Sequence, residues 1–154
     1  MEKTHPVTLA DAAYLAGLFD GEGCVIYKKH LDTKRKNRPK RYKVWRIALE
    51  ISMTDKGVME WVYDLVKCGS LKLNVKNKSP SSKPHWKDQW RWRCSHRDAL
   101  YVAKIIWPFA QVKLHKLEQI IDHYEPRAQE LGDNIVDLET ARAVRKFNWN
   151  VHGT

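Results

Sequence analysis

The sequence predicts an α+β domain, a four-stranded antiparallel sheet with helices on one face and a polar, basic opposite face. Three observations carry this. Residues 24–31 and 42–53 alternate apolar and polar side chains with a period of two, and 71–76 and 86–94 repeat the pattern. Apolar residues at helical spacing precede, separate and follow these two pairs. The resulting order, α-β-β-α-β-β-α-α-α, gives two hairpins whose strands can share one sheet under a helical layer. The chain has 154 residues, which suits a single domain with its own core.

Residues 1–7 read as a short tail. Thr8 has the character of an N-cap, with Asp11 in the first turn where a carboxylate suits the helix dipole. A helix over Leu9 to about Asp20 follows, with Leu15, Leu18 and Phe19 facing a core. Ala13, Ala16, Gly17 and Gly21 leave room for another backbone to approach. Glycine inside a helix costs about 1 kcal/mol against alanine, so close approach is a better reason for these residues than helix formation.

Cys24, Ile26, Lys28 and His30 share one face of the first strand. The basic segment Asp32 to Arg41, with Lys34, Arg35, Arg38 and Arg41, joins it to the second strand and is suited to lie along phosphates. There Trp45, Ile47, Leu49 and Ile51 alternate with Val44, Arg46, Ala48 and Glu50. Asp55 caps a helix over Lys56 to Lys67, which Cys68-Gly69-Ser70 ends. The third strand, Leu71 to Lys76, turns Leu71, Leu73 and Val75 inward, and Lys72, Asn74 and Lys76 outward. In the fourth, Trp90, Trp92 and Cys94 alternate with Gln89, Arg91 and Arg93, and core packing is favoured over base stacking for the tryptophans. Ser95 is the expected cap of the next helix, which Pro108 breaks. Val112 to about His123 forms another helix. Residues 126–154 form a helical extension, with a last helix over about Asp137 to Phe147.

The 28 basic residues outnumber the 18 acidic ones, for a net charge of +10. That excess favours a polyanionic partner, above all nucleic acid. The expected sheet face carries it: Lys28, His30, Arg46, Lys72, Lys76, Arg91 and Arg93, with Glu50 as the acidic exception, suited to accept from a cytosine amino group. No apolar run is long enough to span a membrane and no secretory leader is evident, so a soluble, intracellular protein without a membrane partner is expected. The three cysteines lie far apart, with no zinc-ligand spacing, and are expected to be small buried residues.

Leu15-Ala-Gly-Leu-Phe-Asp-Gly-Glu-Gly23 resembles the motif that names the LAGLIDADG homing endonucleases. Seven of nine positions match once glutamate is allowed for aspartate. The α-β-β-α-β-β-α order is also that family's core, and Trp107-Pro-Phe-Ala-Gln-Val-Lys113 is similar to the segment before a functional lysine in its single-motif members. The resemblance implies a homodimer whose motif helices cross through Ala13, Gly17 and Gly21, with Asp20 structural at the helix end. It implies a divalent cation, Mg²⁺ or Mn²⁺, at Glu22 beside Gly21, and a catalytic role for Lys113. The implied activity is site-specific cleavage of double-stranded DNA at a long pseudo-palindromic site, leaving 3′ overhangs. The alternative is a non-cleaving nucleic-acid-binding protein, such as an RNA maturase. There is one departure: homodimeric relatives place a water-organising polar residue, often glutamine, near the end of the second strand, where this chain has Met53 between Ser52 and Thr54. Either the register slips by one, or Glu50 or Asp55 takes the role, or activity is reduced; Lys56 is the nearest basic partner.

Overall fold

The computed structural model describes residues 7–32, 43–75, 83 and 85–125. The elements are α1 (Leu9–Glu22), β1 (Gly23–Leu31), β2 (Lys43–Met53), α2 (Lys56–Val66), β3 (Ser70–Asn74), β4 (Gln89–Ser95), α3 (Arg97–Ile106) and α4 (Leu114–Tyr124). The sheet order is β1-β2-β4-β3, and every neighbouring pair is antiparallel. Two hairpins therefore meet along the β2–β4 seam. The basic linker with Lys34, Arg35, Arg38 and Arg41, the position of Lys76, and the expected last helix lie outside the described residues.

The period-two alternation sorts the sheet into two faces. Ile47, Leu49 and Ile51 of β2 stand in register with Tyr27, Val25 and Gly23 of β1. Leu49, Ile51 and Met53 stand beside Cys94, Trp92 and Trp90 of β4. This face packs against the helices in one core that includes Leu15, Ala16, Phe19, Met59, Val62, Leu100, Ile106, Leu117 and Ile120. Trp92 is fully buried, and its indole N–H donates to the Cys68 carbonyl at 3.0 Å. Core packing is thus the role of that tryptophan.

Two caps follow directly from side-chain chemistry. Thr8 Oγ1 accepts from the Asp11 N–H at 3.1 Å, and Asp55 Oδ1 accepts from the Val58 N–H at 2.9 Å. Each satisfies an N–H that the first helical turn leaves without an intrahelical partner.

The structure departs from expectation at several element ends. α1 continues past Asp20 and Gly21 to Glu22, and Gly23 stops it. A Cβ on Gly23 would sit 2.4 Å from the Phe19 ring, so close packing, not an unusual backbone angle, requires glycine there. Ser95 ends β4, and His96 with φ 55° stands where the α3 cap was expected, making no side-chain capping bond. α2 stops one residue early because Lys67 turns left-handed. β3 closes at Asn74; Leu73 takes the helical face opposite Trp90, yet both it and Val75 are exposed at this sheet edge. β4 begins at Gln89, leaving Trp86 exposed. Val112 precedes α4 and is 78% exposed. Ala16, expected on the contact face of α1, is buried in the chain's own core. Of the cysteines, Cys94 is buried, Cys68 half-buried and Cys24 exposed. No helix among the described residues is long and apolar enough to cross a membrane.

Candidate active site and nucleic-acid interface

The sheet face turned away from the helices is assembled by register. Cys24, Ile26, Lys28 and His30 lie opposite Glu50, Ala48, Arg46 and Val44. Glu50 lies opposite Arg93, and Ser52 opposite Arg91. Ser70, Lys72 and Asn74 lie opposite Arg93, Arg91 and Gln89. The structure thus brings Lys28, His30, Arg46, Glu50, Lys72, Asn74, Gln89, Arg91 and Arg93 onto one surface. The face is less uniformly polar than its charges suggest, because Ile26, Val44 and Ala48 share it. Ser52, Ser70 and Ser95 also belong to it. The alternation that placed the basic residues would have found them, but serine carries no charge to single it out.

Glu50 does not stand alone on this surface. Its Oε1 lies 3.4 Å from Arg91 Nε and its Oε2 3.7 Å from Arg93 Nη1. At the far end of the face, His30, Asp32, Arg46, Arg93 and His96 help line an open hollow of about 430 Å³.

α1 runs straight into β1, so its C-terminal end meets the edge of this surface. Glu22 is the last helical residue and is exposed, as are Gly21, Gly17 and Ala13. A Cβ added to Gly17 or Gly21 would meet no atom within 4 Å, so nothing in the packing of the described residues calls for glycine at either position. Asp20 points elsewhere. Its carboxylate accepts from the backbone N–H of Gln111 at 2.7 Å and of Lys113 at 3.0 Å. The Lys113 ammonium donates back to the Asp20 carbonyl oxygen at 2.5 Å. The backbone that the Asp20 carboxylate holds is thus that of a segment about ninety residues away.

Met53 turns to the helical side and packs against the core, whereas Ser52 takes the open face at that end of β2. Asp55 is engaged as the α2 cap, and Lys56 pairs with Glu60 at 3.5 Å. Among the described residues, no group of three or more His, Cys, Asp or Glu side chains could hold a metal ion. One chain brings a single exposed carboxylate to the end of α1, which fits a cation shared with other oxygen donors and not a closed protein cage.

No family model matches the chain, and no curated protein matches it in sequence. Solved structures do match. The homing endonuclease I-CvuI, bound to its target with calcium, aligns over 90% of this chain and 79% of its own, with a TM-score of 0.58 and 12% identity. The archaeal intron-encoded homing endonuclease I-Vdi141I, complexed with DNA, aligns over 89% and 80%, with a TM-score of 0.51 and 12% identity. The LAGLIDADG homing endonuclease I-SmaMI, bound to cleaved DNA, aligns over 94% of this chain and 45% of its own, with a TM-score of 0.52 and 13% identity.

The fold is that of the LAGLIDADG homing endonucleases. Within the LAGLIDADG fold, the motif segment Leu15 to Gly23 is the second half of α1 with its cap. Leu15 and Phe19 of the motif serve the core, and Gly17, Gly21 and Glu22 are left outside it.

Proposed function

We propose that the chain is a site-specific double-strand DNA endonuclease that works as a homodimer with a divalent cation. The observation that carries this reading is the bare face of α1: Gly17 and Gly21 with open space above them, leading to an exposed Glu22 beside a basic sheet. Exposed Leu9 and Tyr14 on the same helix add apolar surface that a second copy would cover. Two such helices crossing through Ala13, Gly17 and Gly21 would bring two Glu22 carboxylates together.

Glu22 would hold the cation with the backbone at Gly21 beside it, its partner's carboxylate and phosphate oxygens completing the set. Carboxylate oxygens suit Mg²⁺ or Mn²⁺, and the negative end of the helix dipole adds a small favourable field. When bound, such a cation supplies Lewis-acid polarisation of the scissile phosphate. The chain's own contributions are positional and electrostatic. Lys113, held at the end of α1 by Asp20, would offer a positive charge to the oxyanion that develops on phosphodiester hydrolysis. The exposed sheet face would lie in the major groove, with Arg46, Arg91 and Arg93 suited to guanine edges, Asn74 and Gln89 to adenine, and Lys28 and Lys72 to phosphates. Cleavage would leave 3′ overhangs at a long pseudo-palindromic site. The I-CvuI, I-Vdi141I and I-SmaMI structures are of DNA-bound endonucleases, which supports DNA as the partner.

One observation favours a second reading. Met53 is half-buried against the core, and Ser52 is the open-face residue at that end of β2. Without glutamine there, a non-cleaving nucleic-acid-binding role such as RNA maturation is the competing function. Incubating a plasmid library of randomised inserts with the protein and Mg²⁺ separates the two. Discrete double-strand cuts, lost on chelation, support the nuclease. Intron RNA binding without any cut supports the maturase.

A further inference from the structure

Glu50 is the one carboxylate that the register places on the open sheet face among the described residues. It lies at the seam between the two hairpins, opposite Cys24 on one side and Arg93 on the other. Its two oxygens are divided between two cations, Oε1 toward Arg91 Nε at 3.4 Å and Oε2 toward Arg93 Nη1 at 3.7 Å. The Glu50 side chain is 20% exposed, against 44% for Arg91 and 29% for Arg93.

Fold stability is a poor reason for this arrangement. Part-exposed ion pairs contribute little. The neighbourhood supplies a better one. Arg91 and Arg93 point to the same side of one strand, roughly 7 Å apart. Lys72 stands opposite Arg91 across the β3–β4 ladder. Without an anion among them, these charges repel and the guanidinium groups spread over many rotamers. Glu50 draws both toward the seam.

The contacts also leave the recognition chemistry free. A guanidinium has five N–H donors. Arg91 uses Nε, which leaves its terminal nitrogens, and Arg93 uses Nη1, which leaves the rest of its fork. Two donors suffice for the O6 and N7 of a guanine. At 3.4 and 3.7 Å the pairs are looser than hydrogen bonds, so the forks can adjust on a base. A carboxylate already shared between two cations is poorly placed to accept from a cytosine amino group.

We propose that Glu50 is a positioning residue that presents the guanidinium groups of Arg91 and Arg93 to guanines, and so sets specificity at the base pairs those arginines read. The proposal rests on the DNA-binding reading above. Its test is selection of preferred sites from a randomised duplex pool by the full chain and by Glu50→Gln, Arg91→Ala, Arg93→Ala and the Glu50→Gln/Arg93→Ala double variant. Glu50→Gln should lower guanine discrimination about tenfold at the positions that the arginine variants affect. The double variant should discriminate no worse than Arg93→Ala at the Arg93 position. Affinity for unrelated duplex should hold or rise, because a negative charge has gone, and the melting temperature should stay close to that of the parent. Loss of a cytosine preference at a position neither arginine variant touches would overturn the proposal in favour of direct reading by Glu50. An unchanged preference profile would overturn it too, while leaving DNA binding intact. If the parent chain enriches no sequence, the DNA-binding reading fails and the proposal with it.

Discussion

Asp20 and Lys113 hold each other in both directions. The Asp20 carboxylate accepts from the Lys113 backbone N–H at 3.0 Å, and the Lys113 ammonium donates to the Asp20 carbonyl oxygen at 2.5 Å. With the 2.7 Å bond from the Gln111 N–H, this ties the end of α1 to the turn before α4. Hydrogen bonds to a charged acceptor contribute about 1.5–3 kcal/mol each. Asp20→Asn keeps one acceptor oxygen but turns an amide N–H₂ against a backbone N–H. A loss of about 2 kcal/mol is expected in urea unfolding. Lys113→Met keeps both backbone bonds, so it should lose cleavage with far less effect on the unfolding midpoint. Equal destabilisation by both variants would show that the ammonium is structural.

Glu22 offers the opposite contrast. It is exposed at the end of α1 and makes no contact that the core depends on. Glu22→Gln should change stability by less than about 0.5 kcal/mol. It should abolish Mg²⁺-dependent cutting while DNA affinity, measured by fluorescence anisotropy in Ca²⁺, stays within a few-fold. Undiminished cutting would remove Glu22 from the metal role.

Gly17 tests the seam. A Cβ there meets no atom of the described residues within 4 Å, so Gly17→Leu should not harm the isolated protomer. Leucine also has the better helix propensity, by roughly 1 kcal/mol. In a crossed pair of α1 helices the same side chain would strike the partner backbone. Light scattering should show a dimer for the parent and a monomer for Gly17→Leu, with the helical circular dichroism kept. A dimer that survives would place the contact face elsewhere.

Much of this architecture is legible in the sequence because it is local. The alternation in β2 assigns each side chain to a face, and Thr8 and Asp55 stand where a cap must stand. The rest depends on distant partners. Nothing near Asp20 announces that its carboxylate will hold Gln111 and Lys113. Leu73 and Val75 alternate like core residues, yet they lie at an edge strand and stay exposed. Ser95 has the chemistry of a cap, but its pairing with Ala48 keeps it in β4 and passes the turn to His96. Glu50 reads as an isolated exception in sequence, and the β2–β4 register reveals the two arginines beside it.

Two left-handed positions should respond in opposite directions. Gly69 has φ +82°, and a Cβ there would lie 2.5 Å from the Arg93 carbonyl oxygen. Gly69→Ala should therefore cost at least about 1–3 kcal/mol. His96 has φ 55° and ψ −122°, a conformation that suits glycine, and its N–H donates to the Ile47 carbonyl at 2.9 Å. His96→Gly keeps that bond and relieves the backbone, so a gain of about 1 kcal/mol is expected. Thermal melts of the two variants should move to opposite sides of the parent.

Cys94 contributes to the alkaline limb of stability. Its hydrogen bond with Cys68, followed by burial, pushes the thiol far above its ordinary 9.0. Above that pH the unfolded chain releases this proton and the folded chain keeps it. Stability from this group is therefore complete below pH 9 and is lost as pH rises, by about 1.4 kcal/mol per unit. Cys94→Ala removes the titrating group, at the cost of a small cavity. Urea midpoints at pH 8 and pH 10 should lie further apart for the parent than for Cys94→Ala, in which Tyr124, also raised by burial, still titrates. An equal alkaline loss in both proteins would assign it to other groups.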